Sequence, residues 1–245
     1  MNNRSVSAAT HEDIISYQKL RTFIGFTGIL LPVLVVLGCF ITGAGSASFQ
    51  ISISHFYYSK MHIVFVGVLC VLGGFLITYR GKQPSESTLS NIAGCCAIGI
   101  ASFPTGIGGF HPKPGSPNEY VALFKPVSDT WGTVHFVFAF ALFTCFIIFC
   151  LKYFQEPDGN YSGEAEKKFK KRKKIYKFCG WTIIVSIALI AAFNFIFKPQ
   201  EGFFTYSTFI FETTSLWAFG FAWLVKGSAI WNDVPIAKKL IEPIR

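Results

Sequence analysis

The chain has 245 residues, of which 51% are hydrophobic and 17% aromatic, and 28 of them are Phe. Only 14% are charged, well below the roughly 25% typical of soluble domains. This composition excludes an ordinary soluble globular domain and indicates an all-α, polytopic membrane protein. The net charge of +9 is therefore interpreted as a topology signal, and we expect no nucleic-acid partner.

Six apolar stretches are long enough, or nearly so, to cross about 30 Å of hydrocarbon as helices. They lie at about 22–44, 61–79, 88–106, 134–153, 176–197 and 204–225. The third is rich in small residues, which let helix backbones approach closely, so we expect it inside the bundle. The sequence thus predicts a single six-span domain over residues 1–245, with a basic cytoplasmic loop at 154–175.

The seven cysteines lie in apolar runs and lack the spacing of metal or redox sites. We interpret them as small packing residues. The sequence identifies no cofactor.

Basic residues indicate how the chain is oriented in the membrane. If both termini are cytoplasmic, 18 of the 22 Lys and Arg residues fall on the cytoplasmic side. The positive-inside rule favours this arrangement, so we expect a multi-pass protein of the plasma (inner) membrane.

The densest basic block is "EKKFKKRKKIYK" at 166–177. Such a block next to a span is typical of segments that attract anionic lipid headgroups. The expected partners are therefore membrane lipids, and assembly into homo-oligomers is compatible with the sequence.

One carboxylate interrupts the sixth span, "TFIFETTSLWAFGFAWLV" at 208–225. A charge there costs roughly 2.5–3.5 kcal/mol on insertion scales. Helical spacing puts four polar residues on one face: Thr205, Thr208, Glu212 and Ser215. We expect this face to point into the bundle, with Glu212 about 12 Å deep and open to the outer side.

Three interpretations of Glu212 remain open. It could serve packing alone by bonding a neighbouring helix, with Asn194 or Asn91 as partner. It could line the binding site or pathway of a small solute, ion or lipid. It could also join His62 and His135 in a metal site, because two His and a carboxylate suit zinc in a hydrolase. A membrane scaffold or effector that acts by assembly corresponds to the first interpretation.

Histidines collect on the predicted outer side. They are His55, His62, His111 and His135. The second outer loop, about 107–133, is rich in Gly and Pro and is interpreted either as a lid over the bundle or as a plain surface loop.

Four stretches carry a resemblance to a known family: "SISHFYYSKMHIVFVGVLCVLGGFLITYRG" (52–81), "NIAGCCAIGIASFPT" (91–105), "VHFVFAFALF" (134–143) and "FETTSLWAFGFAWLVKG" (211–227). Together they resemble an uncharacterised family of short, six-span bacterial membrane proteins, defined as a domain of unknown function. Members often carry a basic–acidic pair after the Met of the second span, where this chain has His62 and Ile63. The resemblance implies six spans and draws attention to His135 and Glu212, but it implies no activity.

Overall fold

The computed structural model describes residues 2–42, 49–106, 129–157, 162–197 and 203–227. Within these ranges the α-helices are α1 (Asn2–Ile41), α2 (His62–Thr78), α3 (Pro84–Ser102), α4 (Asp129–Leu151), α5 (Glu164–Ala191) and α6 (Ser207–Lys226). Short 3₁₀ turns cover Ile53–Tyr58, Tyr153–Gln155 and Phe203–Tyr206, and a π-helical turn, Ala192–Phe197, extends α5. The all-α fold predicted from composition is confirmed.

Four stretches are long and apolar enough to cross a membrane by length and composition: Gln18–Ile41, Thr130–Gln155, Glu164–Ile196 and Ser207–Lys226. The apolar helix α2 is shorter, at 17 residues, and α3 is rich in small residues. Large apolar side chains point outward from the bundle, such as Ile63 (77% exposed) and Phe178 (73% exposed). Apolar exposure on this scale marks a surface that contacts lipid or another protein.

Several helix boundaries differ from the sequence-based expectation, and helix α1 begins as early as Asn2. Helix α5 begins at Glu164, so the basic block belongs to a helix and is not a loop. Lys is a good helix former, and Lys170 pairs with Glu166 one turn earlier at 2.7 Å. Helix α6 begins at Ser207, later than expected. The predicted second outer loop falls mostly at 107–128, outside the described residues.

The six helices form a closed ring in chain order. Each packs against the next, and α6 returns to pack on α1. Close backbone approaches support two of these contacts. Gly73 of α2 faces Gly94 of α3, and Gly220 of α6 faces Gly25 of α1, so that a Cβ on either Gly94 or Gly220 would lie 2.6 Å from the partner glycine's carbonyl oxygen. Glycine permits this approach because it has no side chain.

The helices alternate in direction, which gives the ring two distinct ends. The insert end carries the α1–α2, α3–α4 and α5–α6 connections. The basic end carries the α2–α3 and α4–α5 connections. Aromatic rings fill the interior between them: Phe146 of α4 stacks on Phe219 of α6, and Trp223 contacts the rings of Tyr79 and Phe149.

Candidate functional site

The α1–α2 connection turns into the ring at the insert end. We call residues 50–59 the inserted segment. It contains the 3₁₀ turn Ile53–Tyr58, and Gln50, Phe56 and Ser59 are among its buried residues. Its Ile51 carbonyl accepts a hydrogen bond from Phe209 N–H at 3.0 Å, which satisfies a first-turn amide of α6 that has no acceptor within its own helix. The segment is therefore part of the packed bundle.

Glu212 of α6 fastens the start of the inserted segment. Its Oε2 accepts hydrogen bonds from Ser52 Oγ and from Ile53 N–H, each at 2.7 Å. The Ser52 hydroxyl also caps the 3₁₀ turn by accepting from Ser54 N–H at 3.1 Å. A carboxylate is stabilised here because the first amides of a helical turn lack internal acceptors. Glu212 thus faces into the bundle, about 7.5 Å from the start of α6 and shallower than expected.

His135 of α4 holds the same segment from the other side. Its Nδ1 lies 2.7 Å from the carbonyl oxygen of Phe103, and its Nε2 lies 2.9 Å from Ser54 Oγ. A carbonyl only accepts, so Nδ1 carries a proton. In the neutral ring Nε2 then accepts from the Ser54 hydroxyl. The His135 side chain is 3% exposed, so this geometry is fixed by packing.

Two further contacts complete the attachment. His62 Nδ1 donates to the Tyr57 carbonyl oxygen at 2.6 Å, and the two rings meet edge to face. The Tyr58 hydroxyl donates to the Thr105 carbonyl oxygen at 2.6 Å. Burial, with Tyr57 nearby, raises the pKa of Tyr58 to about 12, so its hydroxyl keeps the proton that it donates. The segment is therefore held from α2, from the end of α3, from α4 and from α6.

His55 lies on the inserted segment itself and close to His135. Both of its ring nitrogens are buried and have no hydrogen-bond partner within the described part of the chain. Burial, together with the nearby His135, lowers the pKa of His55 to about 4. The ring is therefore neutral at pH 7 and sits in the bundle largely as an apolar group.

Within the described part of the chain, the other residues of the predicted polar face form no hydrogen bond with the inserted segment. Thr208 accepts from Asn194 Nδ2 at 2.9 Å, and Asn194 lies in the π-helical turn. The hydroxyls of Thr205 and Ser215 are buried without a hydrogen-bond partner among the described residues. Neither Asn194 nor Asn91 is the partner of Glu212, since the carboxylate bonds to Ser52 and Ile53 instead.

Among the described residues, no three or more His, Cys, Asp or Glu side chains lie close enough together to hold a metal ion. His62 and His135 each use Nδ1 to donate to a backbone carbonyl. His62, His135 and Glu212 therefore meet around a shared segment of chain and not as ligands of one metal.

Four residues of the site were not among the sequence-based candidates: Ser52, Ile53, Ser54 and His55. Three act through hydroxyl or backbone groups, which leave no distinctive sequence pattern. The available signal was the stretch "SISHFYY" (52–58), in which two serines precede a histidine and bulky aromatics. Serines capping a short turn beside buried aromatics are typical of a structured connection.

The basic end has a buried polar cluster of its own. Arg21 Nη2 donates to the Tyr79 hydroxyl at 3.2 Å, and that hydroxyl donates to Glu86 Oε1 at 2.8 Å. Arg172 and Lys226 are also buried at this end, the latter with Nζ 5.5 Å from the centre of the Phe154 ring. The buried Lys and Arg side chains of the described residues thus all lie at the end opposite Glu212.

No protein-family model, no curated protein sequence and no solved structure matches this chain.

Proposed function

We propose that this protein is a six-span membrane protein that binds or passes a small solute at the polar site around Glu212, and that the inserted segment closes this site. One observation carries the proposal. At the insert end, the ring is filled by a connection between helices that is hydrogen-bonded to Glu212 and His135, and not by side chains of the helices alone. The segment is attached to α2, α4 and α6, which alternate around the ring, so it lies across the mouth.

Hydrogen bonds suit a reversible closure. A hydrogen bond exchanged between protein and solute changes the free energy little, whereas a buried polar group left unpaired costs about 1–3 kcal/mol. Glu212 and His135 can therefore release the segment only when water or a solute replaces it. The six spans and an outward-facing insert end with cytoplasmic termini belong to the proposal and are supported by the charge asymmetry.

The alternative is a purely structural role, in which Glu212 fastens a permanent part of the core. A scaffold or effector that acts by assembly would need no opening of the segment. The metal-dependent hydrolase has no support among the described residues. Whether the inserted segment opens therefore separates the two remaining functions.

Cysteine labelling in intact cells tests the proposal. Ile53→Cys keeps the backbone N–H that Glu212 accepts, and the Ile53 side chain is 4% exposed. We expect an impermeant thiol reagent added from outside to modify the Ile53→Cys variant slowly, Lys60→Cys quickly, and Ser162→Cys not at all. The parent chain, with its seven native cysteines, serves as the blank. If Lys60→Cys reacts and the thiol of Ile53→Cys stays unmodified over hours, the segment does not open and the structural role remains.

The basic block of α5 supports a second part of the proposal, an attraction to anionic headgroups at the cytoplasmic surface. Six of its lysines are exposed: Lys167, Lys168, Lys170, Lys171, Lys174 and Lys177. Arg172 and Tyr176 are buried against the bundle instead. The helix thus presents lysines toward the aqueous surface, where each contributes about 1 kcal/mol of attraction to an anionic membrane.

A further inference from the structure

No basic side chain of the described residues compensates the carboxyl group of Glu212. Glu212 forms no ion pair with any described residue, and its carboxylate is stabilised by one hydroxyl and one amide. The buried cations Arg21, Arg172 and Lys226 lie at the basic end. Lys60 at the insert end is exposed and donates to the Thr42 carbonyl oxygen. A carboxylate inside a bundle is costly unless a cation or several donors compensate it.

The hydrogen bonds of the inserted segment indicate which groups a solute must carry to replace it at Glu212 and His135. It supplies donors: the Ser52 hydroxyl and the Ile53 amide meet Glu212, and the Ser54 hydroxyl meets His135 Nε2. The side chains that receive them act as acceptors. A solute that displaces the segment must therefore donate hydrogen bonds, and an anion would add repulsion to the loss of these donors.

Aromatic rings border the same site. Phe209 lies one turn before Glu212 on α6, and its ring contacts those of Phe49 and Phe56. Of these rings, Phe209 belongs to α6 and stays in place when the inserted segment leaves. Aromatic faces attract organic cations through their quadrupole, by about 0.5–2 kcal/mol. Negative charge, hydrogen-bond acceptors and aromatic rings thus occur together at the insert end.

We infer that the solute of this site is an organic cation with N–H donors, a primary ammonium, whose head group takes the place of Ser52 and Ile53 on Glu212. This inference rests on the proposed function, since the segment must open for the cation to enter. A primary ammonium supplies the positive charge that no described residue places beside Glu212. It also supplies N–H donors in place of those that are lost when the segment leaves.

The test measures how solutes change the opening of the segment. Purified Ile53→Cys protein is treated with an uncharged thiol reagent at constant ionic strength, in the presence of n-propylammonium, tetramethylammonium or propionate. We expect n-propylammonium to raise the modification rate of the introduced thiol several-fold in a saturable way. Tetramethylammonium, which has no N–H donor, and propionate, which is an anion, should leave the rate unchanged. Lys60→Cys is the control, because this position is exposed without any opening of the segment. A solute that changes its modification rate acts on the reagent and not on the segment.

A matched variant assigns the effect to the carboxylate. Glu212→Gln, added to Ile53→Cys, keeps a carbonyl acceptor but removes the charge, and it should abolish the response to n-propylammonium. A response that persists in this double variant overturns the inference, as does an Ile53→Cys rate that n-propylammonium leaves unchanged.

If propionate or tetramethylammonium raises the rate equally, the site opens for solutes but the ligand class is wrong. If the introduced thiol never reacts, the proposed function itself fails. Should the double variant not fold, the ranking of the three solutes in Ile53→Cys decides alone.

Discussion

Glu212 occupies a position where removal of one side chain leaves two donors without their acceptor. Those donors are the Ser52 hydroxyl and the Ile53 amide. Glu212→Ala should lower the free energy of unfolding by about 1–3 kcal/mol, because buried donors would lose their acceptor. Glu212→Gln, which keeps one oxygen, should lose less. Thermal unfolding in detergent checks this order, and an Ala variant as stable as the parent would show that these hydrogen bonds do not hold the segment.

His55 makes the stability of the fold depend on pH. Its pKa is about 4 in the folded protein, against 6.5 for an unperturbed histidine. The unfolded chain therefore takes up the proton first as the pH falls, and stability decreases between pH 6.5 and pH 4. From pH 7 to pH 5 the loss due to this one residue is about 2 kcal/mol.

The matched variant for this pH dependence is His55→Phe. Because both ring nitrogens of His55 are buried without a partner among the described residues, a phenyl ring fills the space without losing hydrogen bonds. We expect His55→Phe to be at least as stable as the parent at pH 7 and to lose less stability at pH 5. Thermal unfolding at the two pH values measures this, and equal losses in the two proteins would place the pH dependence elsewhere.

Part of the site could be predicted from single residues. The cost of a carboxylate in a span predicted that Glu212 faces inward. The position of His135 at the start of the fourth span predicted that this histidine lies at the same end of the bundle as Glu212. The partners of Glu212 could not be predicted, because a backbone amide and a serine hydroxyl look alike wherever they occur in a sequence. Only tertiary packing determines which of them reaches the carboxylate.

Among the elements, the crossing of α2 and α3 depends on glycines at the contact. A Cβ on Gly94 would lie 2.6 Å from both the Gly73 carbonyl oxygen and Ile77 Cγ1, whereas a Cβ on Gly67 meets nothing within 4 Å. Gly94→Ala should therefore destabilise the bundle by about 1–3 kcal/mol through overpacking. Gly67→Ala should not destabilise it, because Ala has a higher helix propensity than Gly by up to about 1 kcal/mol. Similar unfolding temperatures for the two variants would argue against the close approach of these helices.

The basic helix α5 combines a lysine face with a buried arginine. Replacing Lys167, Lys168, Lys170 and Lys171 by Gln should weaken binding to vesicles that contain anionic lipid, by about 1 kcal/mol per charge, and leave the unfolding temperature unchanged. Arg172→Gln should lower the unfolding temperature, because Arg172 is 3% exposed. Vesicle flotation and thermal unfolding measure the two effects. Loss of folding in the lysine variant would mean that the exposed face is structural.

The inserted segment is the element that sequence patterns missed. Tyrosines between two spans, such as Tyr57 and Tyr58, usually mark the membrane–water interface and not a buried segment. The alternative, a connection that turns back into the bundle, needs internal partners for its backbone groups. Those partners are Phe209 and Glu212 of α6 and His62 of α2. The α6 residues are far away in sequence, so local periodicity carries no information about them.

For the whole molecule, composition was sufficient to predict an all-helical protein with helices that can cross a membrane. The ring closure was not predictable, because it depends on α6 meeting α1 through Gly25 and Gly220, which are almost the length of the chain apart. The distribution of the buried charged side chains between the two ends is also a property of the whole molecule. The buried cations lie at the basic end together with Glu86, whereas Glu212 lies at the insert end. Under the proposed function, a cation that enters the insert end meets a carboxyl group first.

The central claim is that the inserted segment opens locally while the ring stays folded, and that Glu212 holds it closed. Amide hydrogen exchange, followed by mass spectrometry, measures such local opening directly. We expect peptides covering residues 50–59 to exchange faster than α2 and the later turns of α6 in the parent. In Glu212→Ala they should exchange several-fold faster still, with the helices unchanged. Protection of 50–59 equal to that of the helices in both proteins would contradict the account, because the segment would then be a permanent part of the core.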